Sequence, residues 1–218
     1  WEGDRLRYEL RERCTPFGQA LSGEIIALPG AACDLSVDLD GNRRHVWTPW
    51  SPHARVQVRL DAPGWNWDGP AYLDANAGDE PLERAFRSWD WSRTERPVPA
   101  GLKSEPGSTR LHYEVQCRSG EERLFAFDID QQGQVAAVAG DPVEHQRRTG
   151  WGIKRYPRCG HRIAGVRSYE DTPFYSRTLL RGGQTGEFTV HERLSMDRFV
   201  QPWVRTLLPF RMPREFPR

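Results

Sequence analysis

The sequence predicts an all-β protein of antiparallel strands, arranged as a sandwich or a barrel. Three observations lead there. Apolar residues recur at a spacing of two in many short segments, which in extended backbone places them on one face. Gly, Pro, Asn and Asp turn signals separate those segments at short intervals. Hydrophobic content is only 37%, yet the chain carries 9 Trp and 9 Phe. Scarce apolar residues concentrated in rings suit strands around an aromatic interior better than a Leu-rich helical bundle.

Taken in order, Leu6, Tyr8 and Leu10 mark the first strand. Cys33, Leu35, Val37 and Leu39 mark the next, closed by Asp40-Gly41-Asn42, and Val56, Val58 and Leu60 run to Pro63-Gly64. The stretch 71–93 holds Tyr72 and Asp74, an acidic turn with Asp79, Glu80 and Glu83, and a strand bearing Trp89 and Trp91. Leu111, Tyr113, Val115 and Cys117 form another alternating run, as do Leu124, Phe125, Phe127 and Ile129. Further strands are expected near 151–156, 162–169, 173–181 and 186–195, and a short helix near 196–208. The Pro- and Trp-rich run 45–52 reads as a boundary, with 1–46 the remainder of a first β-unit and 47–218 a second, larger one. It equally suits a loop inside one barrel. Because the chain opens at Trp1 inside a strand-like segment, a natural N-terminal portion is expected to precede it.

A net charge of +1 argues against nucleic acid as a partner. Cys14, Cys33, Cys117 and Cys159 are scattered, without a C-x-x-C pair or a His at ligand spacing, so no metal site is expected. With no signal peptide visible, reduced thiols and a cytoplasmic setting are expected. No apolar run is long enough to span a bilayer.

The chemistry concentrates in 71–93. Tyr72 and Asp74 project from one strand face, and Trp89 and Trp91 from another or the same. A carboxyl beside aromatic rings suits an acid that protonates an apolar substrate and then tolerates a cation. The plainer reading is a wet acidic hairpin followed by a core strand. Asp90, between the two Trp, should face the opposite side and pair with Arg93 or Arg87 as a structural group. In 170–180, Pro173 starts a strand whose Phe174 and Tyr175 are candidates to line a channel for a long apolar ligand; barrel core is the ordinary alternative. The tail 198–218 carries five Arg against one Glu, interleaved with Trp203, Leu207, Leu208, Phe210 and Met212. That pattern suits an anionic membrane surface as well as a docked tail.

YLDANAGDEPLE and WDWSR, with the upstream VWTPW and the later EDTPFYSRTLL and FVQPWVRTLLPFRMPR, resemble the acyclic carotenoid 1,2-hydratases (hydroxyneurosporene synthases) over essentially the whole chain. The resemblance implies paired lipocalin-like barrels, the first incomplete here, and cofactor-free addition of water across the terminal double bond of an acyclic carotenoid of the neurosporene or lycopene type. It further implies Asp74 as proton donor, Tyr72 and Trp47 as rings facing the cation, and His45 as the residue that holds or activates water. Trp89, Trp91, Phe174 and Tyr175 become substrate-binding candidates. A photosynthetic bacterium is the implied source, with the protein peripheral at its inner or photosynthetic membrane. The reaction makes sense of these residue types. Protonating an alkene carbon with a weak acid needs a carboxyl kept neutral by burial, and ring faces that offer a desolvated cation roughly 2 kcal/mol or more each. Two other readings use the same residues: a non-catalytic lipocalin-like binder of hydrophobic ligands, and a glycosidase built on Asp79, Glu80 and Glu83.

Overall fold

The computed structural model describes residues 1–14, 17–96, 107–183 and 187–209. Two antiparallel sheets carry the fold, and helices are short. The first sheet orders β1 (Leu6–Cys14), β2 (Gln19–Leu28), β4 (His45–Ala62) and β3 (Val37–Asp38), with β5 (Trp65–Gly78) along the other edge of β4. The second runs β10 (Ile163–Asp171), β11 (Tyr175–Gly182), β12 (Phe188–Ser195), β6 (Phe86–Arg96), β7 (Ser108–Cys117), β8 (Glu122–Ile129) and β9 (Val135–Ala137). The all-β expectation holds. Among the described residues no ladder joins the two ends of either sheet.

The core lies between the sheets, where Trp47 meets Tyr113, Tyr72 meets Trp91 and His45 meets Phe86 at ring separations of 5.0, 5.2 and 4.9 Å. β4 explains how one strand reaches so far. His45 and Trp47 are buried at its start, and Ala54, Val58 and Leu60 further on, so burial passes from odd to even positions and from one face of the sheet to the other. The switch falls at register shifts between Thr48 and Ala54. Pro49 and Pro52 sit there, and because proline cannot donate to a ladder it is accommodated at such irregularities. Gly23 plays a similar part opposite: a Cβ there would lie 2.2 Å from the Arg59 carbonyl, where β2 shifts register against β4.

The seven-stranded sheet is covered on both faces. Trp89 and Trp91 face the first sheet, while Ser88, Asp90, Ser92 and Thr94 face outward yet are buried. Residues 138–162 cover them: the Arg158 amide donates to Ser92 Oγ at 3.2 Å and the Arg193 guanidinium stacks over Tyr156.

Several expectations need correction. The Cys33–Leu39 run forms only the two-residue β3, because Cys33 bonds through its amide to the Trp50 carbonyl instead of entering a ladder. Residues 151–156 belong to the covering segment, tied by isolated bridges such as Gln146 to Arg155. Strand β2 was not anticipated, since Ile25 and Ile26 are adjacent and break the alternation. The acidic turn contains one helical turn, α1 (Leu82–Ala85), and the C-terminal helix is split into α2 (Met196–Phe199) and α3 (Pro202–Leu207), where Pro202 starts a new helix. Cys33, Cys117 and Cys159 are buried thiols outside any disulfide. No helix among the described residues is long and apolar enough to cross a membrane.

Candidate functional site

Strand register builds the floor of the site. Arg177 on β11, Glu192 on β12, Trp91 on β6 and Tyr113 on β7 stand directly opposite one another in successive ladders, forming one row across the inner face. The neighbouring row is Tyr175, Leu194, Trp89 and Val115. From the facing sheet, β5 lowers Tyr72 and Asp74 onto these rows. A cavity of about 240 Å³ remains, lined by Tyr72, Asp74, Asn76, Trp89, Trp91, Tyr113, Arg177 and Glu192.

Asp74 is the centre of this cavity's chemistry. The Trp47 indole Nε1 donates to its Oδ2 at 2.9 Å. Trp47 is opposite Asn76 in the β4–β5 register, so Asp74 is its diagonal neighbour on the same face. Asp74 lies on an edge strand and keeps accessible surface, whereas its carboxyl is crowded by protein atoms. The crowding acts on the ionising atoms themselves and sets the direction. Desolvation pushes the carboxyl pKa up and Glu192 adds to it, against the opposing effect of hydrogen bonding to Trp47 and Tyr72. The Tyr72 hydroxyl is buried and makes no hydrogen bond of regular geometry, though it stands close enough to Asp74 to favour the ionised carboxyl. Burial, reinforced by Asp74, holds the Tyr72 phenol well above its ordinary pKa. The Tyr72 ring is 5.2 Å from Trp91 and lies under the Arg93 guanidinium.

Of the expected site residues, Asp74, Tyr72, Trp89 and Trp91 line one cavity. Trp47 does not line it; fully buried, it stands behind Asp74 as its hydrogen-bond donor. His45 is buried rather than solvated and lines an adjoining cavity of about 340 Å³, which shares Asn76, Trp89 and Tyr113 with the first. Its Nε2 has no hydrogen-bond partner and lies 3.7 Å from Glu80 Oε1. Gly78 makes room for it, since a Cβ there would stand 2.7 Å from His45 Nδ1. Asp40, His45 and Glu80 bring one ligand atom each within 4.8 Å of one another, but Arg44 pairs with Glu80 at 3.1 Å, which already balances that carboxylate. Phe174 packs on Phe199 at 5.2 Å and is not among the residues lining the Asp74 cavity. Tyr175 is half-buried beside Glu192, and burial followed by that charge pushes its phenol pKa up. Asp90 does face the opposite side, but its partners are His191 Nε2 at 3.0 Å and Arg193, from the adjacent strand β12, in place of Arg93 or Arg87.

Sequence reasoning missed Glu192, Arg177 and Asn76 as site residues and took Tyr113 for core. One signal was present: Glu192 falls between Val190 and Leu194 in the core-facing phase of its strand, a place where a charge calls for explanation.

The part of the 198–218 tail that is described docks on the body. Trp203 stacks on Trp151, Val204 is buried, and Arg205 reaches Glu83 at 3.3 Å. Phe210, Met212 and the last three Arg lie outside the described residues.

The family model described as Carotenoid hydratase CrtC matches residues 1–218. Among curated proteins, the chain is 40% identical to the acyclic carotenoid 1,2-hydratase of Thiocapsa roseopersicina and 35% identical to that of Rubrivivax gelatinosus, in each case over 98% of this chain and 52% of the relative. A third, from Rhodobacter capsulatus, is 35% identical over 98% of this chain and 75% of its own length. The chain thus spans about half the length of the first two relatives. No solved structure matches it.

Proposed function

Since the chain belongs to the carotenoid hydratase CrtC family, we propose that it hydrates the terminal C1=C2 double bond of an acyclic carotenoid of the neurosporene or lycopene type. The observation that carries this reading is Asp74. It is a carboxyl with a raised pKa, fixed by one neutral donor and surrounded by ring faces in a small cavity. Asp74, protonated, delivers its proton to C2. The tertiary cation at C1 lies against the faces of Tyr72, Trp89, Trp91 and Tyr113, which offer negative potential without acting as nucleophiles. Water then adds at C1 to give the tertiary alcohol. Trp47 positions the acid rather than facing the cation, and His45 holds water in the adjoining cavity. A cavity of about 240 Å³ takes only the end of a long polyene, so the remainder extends beyond it. The Arg-rich tail brings the protein to the lipid that holds such a substrate.

The test is incubation with neurosporene or lycopene in ¹⁸O-labelled water and, separately, in D₂O. The expected product carries ¹⁸O at C1 and deuterium at C2. Carotenoid bound without turnover would instead favour the non-catalytic binder, which uses the same cavity and needs no acid.

A further inference from the structure

The cavity contains two carboxyl groups, and their settings differ. Asp74 accepts from the Trp47 indole at 2.9 Å, and among the described residues it forms no ion pair with Arg or Lys. Glu192 is clamped by Arg177, whose Nη2 and Nε reach its Oε1 at 2.7 and 2.8 Å; Oε2 is left unclaimed by that guanidinium. Arg177, Glu192 and Trp91 occupy one continuous row of the sheet, so the carboxylate is fixed beside the ring that faces Tyr72. The two acids of the site thus have unequal partners, a neutral donor for Asp74 and a cation for Glu192.

Resting on the hydratase reading, we propose that Glu192, oriented by Arg177, is the general base that takes the proton from the water adding to the cation. The steps balance. The Asp74 O–H bond breaks as the C2–H bond forms, leaving the Asp74 carboxylate and a cation at C1. The water oxygen forms the C1–O bond, and its proton passes to Glu192. Transfer of that proton back to Asp74 through solvent restores both groups, with no change in oxidation state. Other ionisable groups facing Glu192 are Tyr175 on β11 and Tyr113 on β7; Glu170 on β10 and Arg93 on β6 bear on the same cluster through Arg177 and Tyr72.

The experiment compares Glu192→Gln, Arg177→Met, His45→Gln and Asp74→Asn in the whole protein with lycopene, measuring kcat, carotenoid binding and the pH–rate profile. Glu192→Gln is expected to lower kcat about a hundredfold or more, while binding stays within about threefold. The alkaline limb of its residual rate should move to lower pH, because Asp74 loses a neighbouring negative charge. Arg177→Met should lower kcat about tenfold while binding stays within about threefold, because Glu192 loses the guanidinium that orients it. A folded Glu192→Gln variant with wild-type kcat and profile overturns the proposal; should that variant not fold, an unchanged Arg177→Met overturns it as well. Loss of turnover in His45→Gln alone would transfer the base role to His45. Inactive Asp74→Asn beside fully active Glu192→Gln defeats only this inference, active Asp74→Asn defeats the proton-donor role beneath it, and wild-type protein that binds lycopene without turnover defeats the hydratase reading itself.

Discussion

The two faces of the seven-stranded sheet bury acids under different conditions. On the outer face Asp90 meets His191 and Arg193, His112 meets Asp141 at 3.5 Å, and Thr94 meets Thr189 at 2.7 Å, all beneath residues 138–162. Each carboxylate there has a cationic or strongly donating partner. On the inner face Asp74 has a neutral donor, rings around it and an open cavity. A fully partnered carboxylate is stable and chemically inert. An under-partnered one, crowded by protein atoms at the edge of a cavity, holds its proton more tightly. The two acids come from different sheets: Asp74 reaches the inner face from β5, whereas Asp90 is on β6, whose alternate residues Trp89 and Trp91 point the other way and line the cavity under Asp74.

The sharpest way to break this contrast is to change one atom in each acid. Asp74→Asn keeps the shape and should lower hydration by ~10³-fold or more while leaving the melting temperature nearly unchanged, as judged by turnover and thermal unfolding. Asp90→Asn should do the reverse. It leaves Arg193 and His191 without their carboxylate, so stability should fall by about 3 kcal/mol in urea titration, while the folded fraction keeps kcat within about threefold. If both variants fail in the same way, the two faces do not differ in kind.

Acid should also find the outer face first. Burial depresses the His112 pKa to about 4, against the opposing pull of Asp141. A depressed histidine contributes stability that is present above its ordinary pKa of 6.5 and is lost as pH falls toward 4. Between those values the unfolded chain binds the extra proton. The loss should be no more than about 3 kcal/mol over that window, and His112→Gln should flatten the stability–pH curve there.

Smaller effects sharpen the inner face. Trp47→Phe keeps a ring but removes the indole N–H, and should slow turnover roughly tenfold. Its alkaline limb should move to higher pH, because the lost hydrogen bond favoured the ionised Asp74. Trp47→Leu should be slower still, with a parallel check for cavity destabilisation. Equal and unshifted profiles for both would mean Trp47 only packs. Tyr72→Phe should be mildest, within about threefold in kcat, since the ring face stays; removing a buried hydroxyl that lacks a regular partner should leave stability unchanged or slightly raised.

By itself the sequence determined the all-β class, most strand positions and the shared face of Tyr72 and Asp74, because alternation and turn residues act over a few neighbours. It also placed Asp90 opposite Trp89 and Trp91, for the same reason. Its errors came where local rules are weak. Ile25-Ile26 hides a strand, and around Pro49 and Pro52 the burial of β4 passes from the face of His45 to the opposite face, which carries Leu60. Only the tertiary structure decided what Asp74 would meet. Trp47 reaches it through the β4–β5 register, and Glu192 and Arg177 come from strands about a hundred residues further along the chain, aligned by ladders that close between β6, β12 and β11. Register between distant strands is fixed by the packing of whole faces, since a slip of one residue would turn every core side chain outward. No local segment carries that information, which is why the shared face of Tyr72 and Asp74 could be read from the sequence and the partners of Asp74 could not.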